Sequence, residues 1–438
     1  MIRKIIHRIW NERKQNAWLF LELFVVSLFV WLATDPLIDL ASRNSINPNY
    51  DDSRVYKLEM RRYYPTSPKY RAEYNNDSIV NNGYMQILNI IENLPEVENY
   101  SLTEGAIFDY AARHDEFIVD STQTADGKSI KKNIFYFYDY TTKECNSFET
   151  FRMKMHTGDS PSSSDTHGVY ISRSLARELY GTENVIGKSI YRPILQQNLP
   201  ILGTIDDIQP QMYEEPIPIM VIKSRFQPEG GSQRFLQQID LDIRIKRGAN
   251  AAAFEKRFTD EILPKLKAGN LYANKLHSLK SAKEKNRETY GINNLYKQSY
   301  ILSFFALLCG FMGIFGTFWL RAVARRRDIG IMQSMGATRK AIIRQFATEA
   351  VVLSSIAFAI ALPLIMHKVY VSGFSCPLEY YLNFRKYEGT EYLHNQPLPR
   401  FLLVTIISYI FMVIISIVGA VVPTAATIKR HPADALRE

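Results

Sequence analysis

The sequence predicts an α-helical membrane protein of four transmembrane helices, with a large α/β (α+β) extracytoplasmic domain between the first and second helices. Three observations predict it. Apolar runs stand at 17–40, 298–320, 346–367 and 401–423, each close to the roughly twenty residues that cross a bilayer core of about 30 Å. A polar, tyrosine-rich stretch without such runs fills 41–297. Lysine and arginine gather beside the runs, as orientation in a membrane requires.

Composition bounds the answer. At 438 residues the chain exceeds one average domain. A mean hydropathy of −0.16 is too low for a chain that is membrane throughout. The net charge of +9 raises nucleic acid as a partner. Because the excess flanks the spans, membrane lipid is the partner read instead, and no nucleic acid. Cys145, Cys309 and Cys376 lie far apart, without metal-ligand spacing. Cys309 reads as a small apolar residue buried in the second span. Cys145 and Cys376 both fall outside the cytoplasm, and a disulfide between them is the disfavoured reading.

Residues 1–16, MIRKIIHRIWNERKQN, alternate isoleucines with basic residues at helical spacing, an amphipathic cytoplasmic helix for the inner membrane surface. No cleavage site of small residues follows, so the first span, 17–40, is read as uncleaved with its amino end inside. Glu22 sits about one turn into it. It either meets a functional partner in the bundle or, the favoured reading, lies near enough to the interface to find water or an arginine.

The outer domain, 41–297, carries FYFYDY (Phe135–Tyr140), a strand with aromatic residues on both faces. Val169–Ile171 reads as a strand, Ser172 as the cap of a helix through Tyr180, and Gly181 as its end. Pro200–Ile208 reads as another strand. Leu241–Leu266 reads as strand, Gly-Ala-Asn break and amphipathic helix, which makes about 133–237 an inserted lobe. The tyrosines of 50–140 are read as strand packing rather than a binding surface.

Two phosphate-loop decoys fail. Gly181–Ser189 has five residues between its glycines where the motif needs four, and Gly127–Ser129 has Thr122 in place of the first glycine. No histidine cluster has metal-ligand spacing. His156 and His167 flank the serine-rich GDSPSSSD, which reads as a surface loop before it reads as a metal site. No paired carboxylates or Ser-His-Asp set stands out, and no catalytic, metal or cofactor site is expected.

The second span, 298–320, holds Gly310, Gly313 and Gly316, a small-residue stripe for close helix packing, within the chain or against a second subunit. Between it and the third span, 346–367, lies the basic loop 321–345. There Ile329, Ile331, Met332 and Met335 are expected on one side of a short helix, Gly336 at its end and Thr338 capping the next. Arg321, Arg325, Arg326, Arg327, Arg339, Lys340 and Arg344 against Asp328 place the loop inside. Pro363 is able to kink the third span, near whose inner end Glu349 lies. A short outer loop, 368–400, precedes the fourth span, 401–423, and the cytoplasmic tail, 424–438.

RRRDIGIMQSMGATRKAIIRQFATEAVVLS (325–354) resembles the hallmark loop of FtsX/MacB-type ABC permeases, with Asp328 where Glu is usual and Ser334 where a small apolar residue is usual. The tail matches too, through Pro423, Pro432, Ala433, Ala435, Leu436 and Arg437. Residues 166–208 resemble a MacB-like periplasmic core domain. The resemblance implies a bacterial inner-membrane permease subunit, not itself an enzyme, with both termini cytoplasmic and the large domain periplasmic. It implies a separate ABC ATP-binding protein that carries ATP and Mg and docks on Arg325, Arg326, Arg327, Asp328, Ile329, Ile331, Met332, Met335, Gly336, Thr338 and Arg339. It further implies a homo- or heterodimer, with a periplasmic adaptor and outer-membrane channel as further partners in export of peptides, drugs or lipoproteins. The alternative is FtsX-like signalling to a cell-wall hydrolase, in a group whose outer domains are usually smaller.

Overall fold

A computed structural model describes residues 13–105, 113–142, 145–162, 165, 167–209, 215–226, 236, 238–289, 291–376 and 392–428. The chain divides into two compact units, one of 1–45 with 291–438 and one of 46–290. The amphipathic stretch 1–12 and the tail from Lys429 lie outside the described residues.

In chain order the helices are α1 (Arg13–Asn44), α2 (Asp77–Glu92), α3 (Ser147–Phe151), α4 (Arg173–Tyr180), α5 (Ala251–Arg257), α6 (Leu279–Thr289), α7 (Ile292–Ala324), α8 (Arg326–Ser334), α9 (Arg339–Ser372) and α10 (Pro397–Ile428). The strands are β1 (Val55–Arg62), β2 (Val97–Glu104), β3 (Arg113–Val119), β4 (Ile130–Thr141), β5 (Met155–Thr157), β6 (His167–Ser172), β7 (Ser189–Arg192), β8 (Gln197–Ile205), β9 (Met220–Arg225), β10 (Ile239–Ile245), β11 (Lys267–Ala268) and β12 (Leu271–Ser278).

The unit of 46–290 starts from a β-α-β pattern read twice: β1-α2-β2 and β10-α5-β12. The four strands interleave in the order β12-β1-β10-β2, with β1 antiparallel to both its neighbours. This is the split, ferredoxin-like arrangement. Its core forms where Val80, Tyr84, Ile87 and Ile91, one face of α2, meet Leu58, Leu102, Leu241 and Ile243 of the sheet. Between β2 and β10 the chain leaves for a lobe whose strands close on themselves, β4-β3-β7-β8-β6-β9 and back to β4. Phe117, Ile134, Val169, Leu175, Ile201 and Met220 fill it. The lobe begins at Arg113, earlier than the expected 133, because β3 pairs with β4 along its whole length.

Local expectations fare unevenly. Gly181 ends α4 with a left-handed φ of 70°, and its N–H donates to Arg177 O at 2.9 Å. Ser172 stands at the cap position of α4, yet its hydroxyl accepts the Ile219 N–H at 3.1 Å rather than capping the helix. In the Gly181–Ser189 decoy the Lys188 ammonium donates to Gln123 O at 3.0 Å, fixing a turn. Tyr84, Tyr100, Tyr136 and Tyr140 are buried, as packing requires. Burial pushes the Cys145 thiol up to about 11; among the described residues no disulfide joins Cys145, Cys309 or Cys376.

The other unit is built on α1, α7, α9 and α10, four helices long and apolar enough to cross a membrane. α1 and α10 each pack against the three other long helices, so α7 and α9 flank them. Leu23, Trp31, Ile314, Leu353, Phe358 and Met412 form the core. Serines tie the interior together, Ser354 donating to Ser416 at 2.6 Å across α9 and α10. A β-carbon on Gly310 would lie 3.1 Å from Val26, and one on Gly313 the same distance from Glu22. Both glycines thus serve packing of α7 on α1 within the chain, whereas Gly316 faces open space. Glu22 accepts a hydrogen bond from the Thr317 hydroxyl of α7. Cys309 is exposed on the bundle surface, not buried as its apolar character suggests, because α7 turns only the face of Ser303, Gly310 and Ile314 inward.

Gly310→Val should destabilise the purified full-length chain by about 1–3 kcal/mol through overpacking against α1. Gly316→Ala should leave the thermal unfolding midpoint unchanged or slightly raised. Equal midpoints for Gly310→Val and the parent would contradict this packing.

Candidate functional site

α8 is a nine-residue helix, too short to stand alone, so its neighbours must hold it. At its end the Ala337 N–H donates to Met332 O at 2.9 Å and the Gly336 N–H to Gln333 O at 3.0 Å. Gly336 has φ 85°, and this paired-bond stop needs a left-handed residue there. Two residues on, the Thr338 hydroxyl accepts the Ala341 N–H at 3.3 Å and starts α9. Loop and third long helix are thereby one continuous piece from Arg339 onward.

The apolar residues of α8 split between two faces. Ile329, 1% exposed, packs with Ile342, Phe346 and Ile428, with Met332 partly buried against them. Ile331 and Met335 are 42% and 82% exposed. The expected single stripe is therefore wrong: at about 100° per residue, positions two apart lie nearly opposite, while 331 and 335 share a face. Around that face Arg327, Asp328, Arg339, Lys340 and Arg344 are exposed, and Arg326 is half-buried.

Under α8 lies an ion cluster. Glu349 of α9 is 5% exposed. Arg325, the cap of α8, donates to its two oxygens at 3.1 and 3.0 Å, and Arg321, one turn earlier on α7, donates to Oε1.

A second cluster closes the opposite end of the bundle. The Arg400 guanidinium of α10, 2% exposed, donates to Asp35 Oδ1 at 2.9 and 2.7 Å and to Asp39 Oδ1 at 3.0 Å. It also reaches the carbonyls of Ser375 at 2.7 Å and His394 at 3.3 Å, with the Phe374 ring 4.6 Å away. Arg43 donates to Asp39 at 3.0 Å, and the Ser375 N–H to Asp35 at 2.7 Å. Two carboxylates and two guanidiniums thus balance each other, and every carboxylate oxygen has a donor.

Comparison with known proteins finds likenesses for both parts of the chain. Residues 300–432 match the FtsX-like permease C-terminal family. The chain carries an FtsX-like permease domain. It is also similar to MacB: over 282 residues, 61% of the chain, it is 23% identical to the macrolide export ATP-binding/permease protein MacB of Bdellovibrio bacteriovorus. That match covers 38% of the relative's own length. Among solved structures, the periplasmic region of MacB from Actinobacillus actinomycetemcomitans aligns at 10% identity over 53% of this chain and 92% of that one, with a TM-score of 0.32. The extracellular domain of the noncanonic ABC-type transporter YknZ from Gram-positive bacteria aligns at 10% identity over 50% and 99%, with a TM-score of 0.31.

Within the permease domain, all eleven residues expected to couple to an ATPase fall on α8 or its two joints, but Ile329 and Met332 face inward. Sequence reasoning passed over Glu349 as a partner for Arg321 and Arg325, and it missed the Asp35–Asp39–Arg43–Arg400 cluster. A signal existed for the latter: Asp35, Asp39 and Arg43 recur every four residues, one face of a helix. His156 faces Asp206 at 2.6 Å, not His167, and among the described residues no three metal-ligating side chains converge.

Arg400→Met should destabilise the purified chain by about 3–5 kcal/mol, since it strands two buried carboxylates. The double variant Asp35→Asn/Arg400→Met, which keeps Asp39 paired with Arg43, should recover most of that loss. Unfolding midpoints that fail to recover in the double variant would contradict a charge-balanced cluster.

Proposed function

We propose that this chain is the membrane subunit of an ABC system of the MacB/FtsX type, docking a separate ATP-binding protein on the exposed face of α8. The carrying observation is the split of α8: one side anchored by Ile329, the other offering Ile331 and Met335 amid exposed arginines. A short apolar ridge rimmed by guanidiniums suits an apolar groove rimmed by carboxylates. ATP and Mg belong to the partner in this reading, and closure of the partner would push on α8. α9 continues directly from that joint, while α1 and α7 flank the 46–290 unit in the chain, so motion of the bundle has a covalent route to it. The α8 end lies in the cytoplasm and the 46–290 unit in the periplasm. Such a subunit works as one of two in the membrane, and MacB homology favours export of a cargo over hydrolase signalling. The push does work only if the two nucleotide states favour different bundle conformations.

Ile331→Asp and Met335→Asp should each cut the stimulation of the co-purifying ATPase by about tenfold or more while leaving thermal stability within about 0.5 kcal/mol of the parent, as surface changes do. Met332→Asp should instead destabilise the chain, because it buries a carboxylate. Undiminished stimulation in both exposed variants would sink the docking reading.

A further inference from the structure

We infer that Glu349 is a positioning residue: its charge sets where α8 sits at the end of the bundle. α8 is flanked by α7 and α9, and these pack on α1 and α10 rather than along each other. Two helices with so little mutual contact do not by themselves fix the segment strung between their ends. Across that gap Gln333 of α8 donates to Ile428 O of α10 at 3.3 Å. Ile329 inserts between α9 and the end of α10, and Arg321 and Arg325 of α7 converge on the Glu349 carboxylate of α9.

The geometry of that convergence is specific. Arg321 and Arg325 are four residues apart, so both point to the same side of α7. Arg325 is also the residue at which α7 ends and α8 begins, so holding its side chain holds the corner. Arg325 Nη1 alone donates to both Glu349 oxygens and Arg321 adds a donor to Oε1, so charge-assisted bonds from two successive turns converge on one carboxylate. The surroundings are apolar: Phe318, Ala322, Phe346 and Ala350 line the same small cavity, where water screens the pair weakly. A neutral side chain at 349 removes the charge on which both guanidiniums converge, and the α7–α8 corner loses that hold.

The inference concerns how α8 is held; it rests on the docking reading only in treating α8 as the element that matters. Hydrogen exchange of the full-length chain in lipid nanodiscs tests it without the partner. Glu349→Gln keeps the size and loses the charge, whereas Glu349→Asp keeps the charge. In Glu349→Gln the amides of 326–337 should exchange about tenfold faster, with those of 350–365 and 404–420 unchanged, since local opening is read segment by segment. Glu349→Asp should stay within about threefold of the parent. Unchanged exchange of 326–337 in Glu349→Gln overturns the inference. So does equal acceleration in both variants, or acceleration spread through α9 and α10, since each marks general packing rather than a charge-set corner. Met335→Asp separates the two proposals: it should cut ATPase stimulation by about tenfold or more and leave the exchange of 326–337 at the parental rate.

Discussion

A charge shut away from water must meet its opposite, and that constraint organises both units. Among the described residues of the helical unit it collects the buried ions into two groups, one at each end of the bundle. Glu349 with Arg321 and Arg325 sits where α8 attaches. Asp35 and Asp39 with Arg400 and Arg43 sit at the other end. Between them the core is apolar apart from serines, threonines and the Glu22–Thr317 pair. The 46–290 unit obeys the same rule: Lys223 meets Asp139 at 2.7 Å with both fully buried, and buried Arg244 reaches Asp51 at 3.2 Å. Removing one member of such a group is costly because the other is left sealed in.

Long, strongly patterned features were legible in the sequence. The four apolar runs became α1, α7, α9 and α10, each extended beyond its greasy centre because helices continue through the polar residues at their ends. Gly336 and Thr338 took their expected places, since a left-handed stop and a hydroxyl cap are decided by a few neighbouring residues. Strands β6, β8 and β10 stood close to where alternation and turns put them. What was illegible depended on partners distant in sequence. Arg400 and Asp35 are 365 residues apart, and nothing local in either says that they meet. The closure of β4 on β9 is equally non-local. The face error in α8 was different in kind: the spacing was visible, but apolar character was weighed above the turn angle between neighbouring positions.

α8 shows how a nine-residue helix acquires a fixed place. Burial of Ile329, a left-handed stop at Gly336 and the Arg325–Glu349 ion pair each constrain it. The remaining face is left exposed with two large apolar side chains among cations. That division of one short element into a held side and an offered side is what makes docking the economical reading of an FtsX-like permease domain. Gly310 and Gly313, by contrast, are consumed by packing on α1 and leave no small-residue surface for a second subunit at those positions.

The proposed function requires α8 and the 46–290 unit to lie on opposite faces of one membrane. In a chain with its native cysteines replaced by serine, single cysteines at exposed positions, Arg327→Cys in α8 and Thr182→Cys in the outer unit, report this directly through a membrane-impermeant maleimide applied to spheroplasts. The account predicts labelling of Thr182→Cys in intact spheroplasts and of Arg327→Cys only after the membrane is opened. Labelling of both from the same side would contradict it.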